Sequence, residues 1–378
     1  MIINNVKIVL PEKTINNGSI IIENGIIKDI SNKIIQDSDS FDGNGLIAIP
    51  GLIDLHIHGA DGISVTDKDE NSLNKLSKAL VKFGITGFLW TTMAVPVDEM
   101  DFVMKQMSNY KNDNGAECLG INIEGSFISA GRAGSHLTSC IFEPSIDLMQ
   151  RWIDLSNKNI RVVTIAPEKT PENFVKFLVN NNIIPSIGHS QANYEQTIEA
   201  LEQGATYFTH LGNATGILHQ REPGIVGAAL LDEKSVIEII CDGFHLHSAI
   251  VKLFLKVKGW ENTVLVSDGT CVMGMPKGKY EWYDSYADFD GESLKLENGT
   301  IAGGVQSLNK AIKNVINFTN CTLNQAVQMT SLLPAKKLGI DKKYGSIEID
   351  KKANIVLLSD DYEVKNTFIN GKLLYSDS

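Results

Sequence analysis

The feature that most constrains the fold is an alternation of short apolar runs with segments of helical period. Eight runs rich in β-branched residues are Ile53–His58, Ile85–Thr91, Cys118–Glu124, Arg161–Ala166, Ile184–His189, Tyr207–His210, Val236–Asp242 and Thr263–Asp268. Most intervening segments have helical period, and one of them closes at Gly204 as a helix cap would. Eight alternations over about 220 residues predict a (β/α)8 barrel, an α/β fold of the TIM type.

A doubly wound open sheet is the alternative, because it also alternates strands with helices. Such sheets that bind dinucleotides have a GxGxxG turn after the first strand. No GxGxxG follows the first run, which ends at His58. The barrel is therefore favoured.

Both ends of the chain differ in style from the middle. "NNG" and "ENG" stand between β-branched runs near the N-terminus, and similar short runs return near the C-terminus. These tripeptides are typical of hairpin turns. The sequence therefore predicts a small β-sandwich domain from residues 1–50 plus 340–378, and a barrel from residues 51–339.

Composition excludes several classes of protein. The chain has 378 residues, of which 43% are hydrophobic, and a formal net charge of −11 without a basic stripe. Nucleic acid is therefore not an expected partner. No apolar stretch approaches the roughly 20 residues of a membrane-spanning helix, and the N-terminus does not resemble a secretory signal. Five scattered cysteines without a CxxC pair indicate reduced thiols in a cytoplasmic protein.

The first run contains two histidines in "GLIDLHIHG", residues 51–59. His56 and His58 are two residues apart, so on a strand they point to the same face. Their apolar neighbours indicate that the strand is buried. Burying two imidazoles costs free energy unless each has a partner. The pair therefore predicts a shared partner inside the fold.

Other polar residues stand at the ends of further runs: Glu124, His189, His210 and Asp268. One histidine at a strand end is commonly structural, but the carboxyl ends of all barrel strands meet at one mouth. Four imidazoles and two carboxylates would then converge. Imidazole with carboxylate suits zinc, iron(II) or manganese, and a catalytic site keeps a position open for water. The set predicts a divalent-metal site.

Several motifs together resemble a known family: "PGLIDLHIHG", "INIEGSFI", "RAGSH", "IAPE", "IGHS", "THLGNATG", "HQREPGIVGAAL", "CDGFHLH", "VSDG" and "IAGG". The chain resembles the amidohydrolase superfamily and, within it, the N-acetylglucosamine-6-phosphate deacetylases. The similarity extends over nearly the whole length. It implies metal-dependent hydrolysis of the N-acetyl group of N-acetylglucosamine 6-phosphate, which yields glucosamine 6-phosphate and acetate.

The resemblance also implies roles at the metal site. Glu124, His189 and His210 would hold the principal ion, and His56 and His58 would complete a second site. One or two divalent ions are therefore expected. Asp268 would be the catalytic carboxylate. Other binuclear amidohydrolases use a carbamylated lysine as a bridge, but here the resemblance gives the bridge to Glu124 and leaves Lys169 at the surface.

The resemblance implies a substrate-binding set as well: Ser135, His136, Asn213, Ala214, Arg221, His245, Ile301, Ala302, Gly303 and Gly304. His136 would lie near the acyl carbonyl, and the planar guanidinium of Arg221 could grip the phosphate. The segment Ile301–Gly304 would lie over the sugar, where glycine lets the backbone approach a ligand. A homodimer is expected from the resemblance alone.

The match has departures beside the pocket. Ser126 stands where the family usually has proline, "GNAT" replaces an aromatic–Asn–Ala–Met run, and "VSDG" replaces "TDA". The epimer N-acetylgalactosamine 6-phosphate is therefore an open alternative. A cyclic-amide hydrolase or nucleobase deaminase is a second alternative, and a non-enzymatic metal or sugar binder is a disfavoured third. His219 and His247 match no family position.

Overall fold

The structure, a computed structural model, describes residues 1–35, 37, 40–112, 114–283 and 285–377. Its strands are β1 (Ile2–Val9), β2 (Thr14–Glu23), β3 (Ile26–Ser31), β4 (Ser40–Asp42), β5 (Ile47–Pro50), β6 (Leu52–Ile57), β7 (Gly59–Ala60), β8 (Ile63–Ser64), β9 (Ile85–Thr91), β10 (Glu117–Phe127), β11 (Ile160–Ile165), β12 (Ile184–Ile187), β13 (Tyr207–Phe208), β14 (Val236–Ile240), β15 (Thr263–Val266), β16 (Gly278–Trp282), β17 (Ser285–Phe289), β18 (Leu294–Leu296), β19 (Ile355–Leu358), β20 (Val364–Ile369) and β21 (Lys372–Ser376).

The helices are α1 (Ser72–Ala79), α2 (Val97–Asn109), α3 (Ile146–Leu155), α4 (Glu172–Asn180), α5 (Tyr194–Glu202), α6 (Gly224–Leu231), α7 (Ser248–Lys258), α8 (Leu308–Phe318), α9 (Leu323–Thr330) and α10 (Leu332–Lys337). Short 3₁₀ turns occur at Leu80–Phe83, Ala130–Arg132, Thr138–Cys140, Pro167–Lys169 and Trp260–Asn262. None of the helices in the described ranges is long and apolar enough to cross a membrane.

Eight parallel strands form the barrel. They lie side by side in the order β6, β9, β10, β11, β12, β13, β14, β15, which is their order along the chain. An open doubly wound sheet would reverse its order at a switch point, so this alternative is wrong. Between the last strand and the first, the amide of Asp268 donates to the carbonyl of His56 (3.0 Å), and the amide of His58 donates to that of Gly269 (2.7 Å). The predicted barrel is confirmed.

The barrel strands are apolar throughout because both of their faces are covered. Every residue of β6 and β9 is buried, as expected for parallel strands between an inner core and an outer layer of helices. The largest fully buried side chains of the barrel include Trp90, Trp152 and Phe174. Continuous burial explains why these strands read as apolar runs rather than as alternating patterns.

Several predicted runs extend two residues beyond the strands. β12 ends at Ile187, β13 at Phe208 and β15 at Val266. The residues that follow have positive φ angles, namely His189 (46°), His210 (26°) and Asp268 (49°). A non-glycine residue in this region leaves the extended conformation of a strand. The chain therefore turns at the positions where the polar side chains stand.

The strands from the two termini form one hydrogen-bonded sheet. Its order is β21-β20-β19-β5-β1-β2-β3, and the N-terminal half of β1 pairs with β4 while its C-terminal half pairs with β5. Phe41 of β4 contacts Phe368 of β20 with ring centroids 5.2 Å apart. This contact indicates that the sheet folds back on itself. The two termini therefore build a small β unit, as predicted.

The passage from this sheet to the barrel is one residue, Gly51, between β5 and β6. A Cβ atom there would lie 2.1 Å from Oγ1 of Thr86, so only glycine fits. The division into residues 1–50 plus 340–378 and residues 51–339 stays a prediction. Residues 36, 38, 39 and 378 of the predicted β domain lie outside the described residues.

Candidate active site

The carboxyl ends of the barrel strands surround a cavity of about 580 Å³. Thirteen predicted site residues line it: His58, Glu124, Ser135, His136, His189, His210, Asn213, Ala214, His245, Asp268, Ile301, Ala302 and Gly303. His56 is fully buried beneath them. The structure does not bring Arg221 or Gly304 to the cavity wall.

Glu124 stands between two pairs of imidazoles. Its Oε1 lies 2.8 Å from Nε2 of His210 and 3.2 Å from Nε2 of His189. Its Oε2 lies 3.3 Å from Nε2 of both His56 and His58. Burial raises the pKa of Glu124, but the surrounding imidazoles, His56 first, hold that pKa well below its usual range. The residue is therefore a carboxylate with one oxygen for each pair.

Three of these histidines are oriented by a hydrogen bond from the outer ring nitrogen. His58 donates its Nδ1–H to the carbonyl of Thr91 (3.1 Å), His189 to that of Arg132 (2.8 Å), and His56 to Oε2 of Glu238 (2.9 Å). Each bond engages Nδ1–H, so Nε2 is the ring atom that faces Glu124 and that would bind a metal ion once it carries no proton. This arrangement is typical of histidines that bind metal ions.

The positions of His189 and His210 show whether a metal ion would fit beside Glu124. Their Nε2 atoms are 3.0 Å apart, and both face Oε1 of Glu124. His210 Nδ1 is buried without a hydrogen-bond partner in the described part of the chain. Two imidazole nitrogens and a carboxylate oxygen thus converge on one point, and they are ligands that zinc and similar divalent ions accept. The group fits a metal ion.

His56, His58 and Oε2 of Glu124 form a second group of this kind. Nε2 of His56 is buried and has no hydrogen-bond partner among the described residues. Burial lowers the pKa of His58, but hydrogen bonds with Asp268 and Glu124 raise it to about 9. The carboxylates therefore make this pocket attractive to a cation.

His136 also approaches Glu124 but differs from the other four. Its Nδ1 accepts the backbone N–H of Ala94 (3.3 Å), so its proton must stand on Nε2, which lies 3.2 Å from Oε2 of Glu124. Burial lowers the pKa of His136 to about 4, which keeps the ring neutral. A nitrogen that holds a proton cannot bind a metal. Although its atoms lie close enough to join Glu124 and His189 around an ion, His136 is a hydrogen-bond donor.

Asp268 faces the second pair. Its Oδ1 lies 3.1 Å from Nε2 of His58 and 3.4 Å from Nε2 of His56, and its Oδ2 lies 4.0 Å from Nε2 of His245. Burial raises the pKa of Asp268, but the hydrogen bond with His58 and the neighbouring imidazoles lower it below the usual value. An ionised carboxylate is therefore available as a proton acceptor.

Asp242 and Trp282 are among the residues of the site that were not predicted. Asp242 accepts the Nδ1–H of His245 (2.6 Å) and the backbone amides of Phe244 and His245, so it orients that ring. Its position at the end of the seventh apolar run could have identified it from the sequence. Trp282 of β16 lines the cavity and donates its Nε1–H to the carbonyl of Ser135. It belongs to the small sheet β16–β18, which lies outside the eight predicted alternations of strand and helix. No sequence pattern therefore pointed to it.

Backbone geometry and hydrogen bonds to the backbone account for the places of the remaining residues that the sequence singled out. Gly303 has φ +81°, and a Cβ atom on Gly304 would lie 2.0 Å from the carbonyl oxygen of Ser267. Gly304 therefore packs behind the end of β15. Arg221 is exposed, and its amide donates to Nδ1 of His219. His247 is the N-cap of α7 and accepts from the amide of Ala249.

The side chain of Lys169 is about half exposed, and its Nζ lies 3.8 Å from Glu143. It is not among the residues that line the cavity. It therefore lies at the surface, as the resemblance implied.

Comparison with known proteins identifies the family of this chain. The family described as "Amidohydrolase family" matches residues 47–374. The chain belongs to the amidohydrolase family.

Within that family, the chain is 34% identical to the N-acetylglucosamine-6-phosphate deacetylase of Vibrio furnissii, over 93% of this chain and 89% of the relative. It is 32% identical to the N-acetylgalactosamine-6-phosphate deacetylase of Escherichia coli O157:H7, over 86% of each chain. The crystal structure of N-acetylglucosamine-6-phosphate deacetylase from Thermotoga maritima superposes with a TM-score of 0.89 at 30% identity, over 100% of both chains.

The opposite tautomers of His136 and His189 predict opposite effects on metal content. His189→Ala removes a lone pair directed at Glu124, so we expect it to lower the zinc bound per chain. His136→Ala removes only a donor, so we expect zinc content equal to that of the parent. Elemental analysis after reloading metal-stripped protein measures both. A loss of zinc in His136→Ala equal to that in His189→Ala would contradict the tautomer assignment.

Proposed function

We propose that this chain hydrolyses the N-acetyl group of N-acetylglucosamine 6-phosphate to glucosamine 6-phosphate and acetate. The observation that carries this proposal is the pairing of ionised Asp268 with the group centred on Glu124 inside one cavity. The deacetylase named for this substrate in Vibrio furnissii is 34% identical over nearly the whole chain. Amide hydrolysis needs an activated water and a polarised carbonyl, and this pairing can supply both.

Glu124, His189 and His210 would hold the principal divalent ion, and His56 and His58 with Glu124 would hold a second. Zinc, iron(II) and manganese all suit this set. A bound ion of this kind lowers the pKa of water toward about 7 and polarises a carbonyl oxygen. The Nδ1–H bonds of His56, His58 and His189 keep their Nε2 atoms directed at the site without rearrangement.

Asp268 would accept a proton from the attacking water as the water oxygen bonds to the acetyl carbon. The C–N bond then breaks, and Asp268 returns that proton to the amine of the departing sugar. The same carboxylate thus acts first as a general base and then as a general acid. Its lowered pKa keeps it ionised and ready to accept the proton at neutral pH.

His136 would donate its Nε2–H toward the oxygen of the acetyl carbonyl. The backbone amide of Ala94 fixes this tautomer, so the donor is oriented before the substrate arrives. A preorganised donor stabilises the negative charge that develops on this oxygen. His136 therefore serves the acyl group, in line with the role that the resemblance implied.

The rest of the cavity would bind the sugar. The residues of its wall that the resemblance assigned to the substrate are Ser135, Asn213, Ala214, His245, Ile301, Ala302 and Gly303. Asp242 orients His245, which faces Asp268 across 4.0 Å. Arg221, exposed in the segment that follows Ala214, would reach the phosphate.

The galactosamine epimer is a second candidate substrate. The relative from Escherichia coli O157:H7 is named for N-acetylgalactosamine 6-phosphate, and its identity to this chain, 32%, is close to the 34% of the glucosamine enzyme. The two sugars differ by one inverted hydroxyl. Both therefore belong in the first assay.

Acetate release from four substrates tests the proposed reaction. We expect metal-reloaded protein to release acetate from N-acetylglucosamine 6-phosphate at the highest kcat/KM, and far less from the galactosamine epimer or from either unphosphorylated sugar. Faster release from the epimer would move the substrate to the second candidate. If metal binds but no acetate appears from any of the four, the proposed reaction is wrong, and cyclic amides become the next substrates to test.

Asp268→Asn tests the proposed role of Asp268 as general base and general acid. We expect kcat to fall by about 10²–10⁴-fold, the usual contribution of general acid–base catalysis, with zinc content unchanged. A variant that retains the parent kcat would remove Asp268 from the mechanism. A parent protein that binds metal and sugar phosphate without turnover would instead favour the non-enzymatic alternative.

Arg221→Ala tests the phosphate contact. A lost charged hydrogen bond of about 1.5–3 kcal/mol corresponds to a rise in KM of roughly 10–100-fold for the phosphorylated sugar. We expect kcat to change little, because Arg221 is remote from the reacting bond. Gln220→Ala, a change at the neighbouring exposed residue, should leave KM as in the parent. An unchanged KM in Arg221→Ala would contradict the contact and favour a cyclic-amide or nucleobase substrate.

We also propose a cytoplasmic homodimer. The outer face of α7 exposes three apolar side chains at spacings of three and four residues, Ile250, Leu253 and Val257, here named the α7 stripe. Leu231 at the end of α6 and Ile217 in the segment of Arg221 are exposed as well, at 66% and 88%. Apolar patches of this kind mark interaction surfaces, and a second copy of the chain is the expected partner. All five cysteines are free, as suits a reducing compartment.

A charge in the α7 stripe should disrupt this dimer. We expect the parent chain to sediment as a dimer and Leu253→Glu to sediment as a monomer, because a buried unpaired carboxylate is costly in an interface. Lys252→Glu reverses a charge at the preceding residue, which lies outside the stripe, so it changes the net charge more than Leu253→Glu does. This variant should remain dimeric. A monomeric parent, or a dimeric Leu253→Glu variant, would show that this surface is not the interface.

A further inference from the structure

Beneath the cavity, a further buried carboxylate lies inside the barrel. Glu238 is the third residue of β14, and its side chain is almost completely buried. It is not part of any motif that carries the family resemblance, nor does it line the cavity. A charged side chain in a barrel core destabilises the fold unless its partners compensate. Its contacts therefore indicate why it is there.

Glu238 contacts two of the proposed metal ligands at once. Its Oε2 accepts the Nδ1–H of His56 (2.9 Å) and the backbone N–H of His210 (3.0 Å). Its own backbone carbonyl accepts the N–H of the next residue, Leu211 (2.9 Å). Glu238 therefore holds one ligand by its ring and the other by its backbone, although the two belong to different groups around Glu124.

Each contact has a distinct consequence. The bond from His56 engages Nδ1–H, so Nε2 is the ring atom left to bind a metal ion beside Glu124. A carboxylate acceptor makes this bond stronger than one to a neutral carbonyl, the kind of acceptor that His58 and His189 have. The bonds to His210 and Leu211 support a backbone with φ +26°, which L-residues rarely adopt without support from their surroundings.

We propose that Glu238 is a positioning residue that orients His56 and His210 together for metal binding. This inference rests on the proposed metal site. Glu238 touches neither the cavity nor the reacting bond, so it acts only through the two histidines. A carboxylate can serve at this buried position where an apolar residue cannot, because only an acceptor can hold both N–H groups.

The experiment compares zinc binding by the parent, Glu238→Gln and Tyr207→Phe, each stripped of metal. Glutamine has the size of glutamate but no charge, so the two ligands lose their carboxylate partner, and the amide oxygen accepts their N–H groups only as a weaker, neutral acceptor. Tyr207→Phe is the matched control, because it removes a buried hydroxyl beside the same carboxylate but leaves both N–H bonds intact. Zinc affinity is measured by chelator competition, and the thermal midpoint of the metal-free proteins is measured separately.

We expect Glu238→Gln to bind zinc about 10–100-fold more weakly than the parent, the usual effect of losing a partner behind a ligand. Tyr207→Phe should bind zinc as the parent does. Glu238→Asp keeps the charge but shortens the side chain, and it should also weaken binding. In the zinc-loaded parent, ¹⁵N spectra should show the His56 ring protonated at Nδ1, which tests the orientation without any variant.

Three outcomes would overturn the inference. In the first, Glu238→Gln lowers the thermal midpoint but binds zinc with parental affinity, which would show that the residue is structural. In the second, the His56 ring is protonated at Nε2 in the loaded parent. A parent that binds no zinc at all would overturn the metal site and the proposed function as well, whereas a zinc-binding, acetate-releasing parent with an unaffected Glu238→Gln variant would overturn this inference alone.

Discussion

The interaction on which the site depends is the contact of the Glu124 carboxylate with four imidazoles. One oxygen faces His189 and His210, and the other faces His56 and His58. These residues come from four different parts of the barrel, so they meet only when the barrel is closed. The barrel closes at the site itself, because the backbone amide of Asp268, just after the last strand, donates a hydrogen bond to the carbonyl of His56 in the first strand. The fold and the catalytic geometry therefore form together.

Much of this could be predicted because the signals are local. A strand buried on both faces must be apolar, so the eight barrel strands were visible as runs, and the rule that their carboxyl ends meet placed Glu124 and the histidines together. The substrate-binding residues, and the assignment of His56 and His58 to a second metal site, came from the resemblance, not from periodicity. The strand ends were overestimated at His189, His210 and Asp268, because positive φ angles leave no trace in composition.

The remainder depends on contacts between distant residues. Whether His136 donates or binds metal is decided by the amide of Ala94, 42 residues away along the chain. The orientation of His56 is decided by Glu238, 182 residues away. Trp282 reaches the cavity from an inserted sheet, and Arg221, plausible in sequence, lies exposed outside the wall. No local pattern specifies pairs of this kind, since each needs the closed barrel to bring its members together.

The same contacts place the destabilising features of the molecule in one region. Glu124, Glu238 and Asp268 are buried carboxylates, and the turns at His189, His210 and Asp268 occupy a backbone region that is unfavourable for L-residues. The rest of the barrel is apolar and closely packed, so it can sustain this strain. A divalent ion bound only by the folded state would add stability in proportion to the logarithm of its concentration over its dissociation constant. Metal binding would therefore stabilise the fold at the mouth of the barrel, where the arrangement needed for catalysis weakens it.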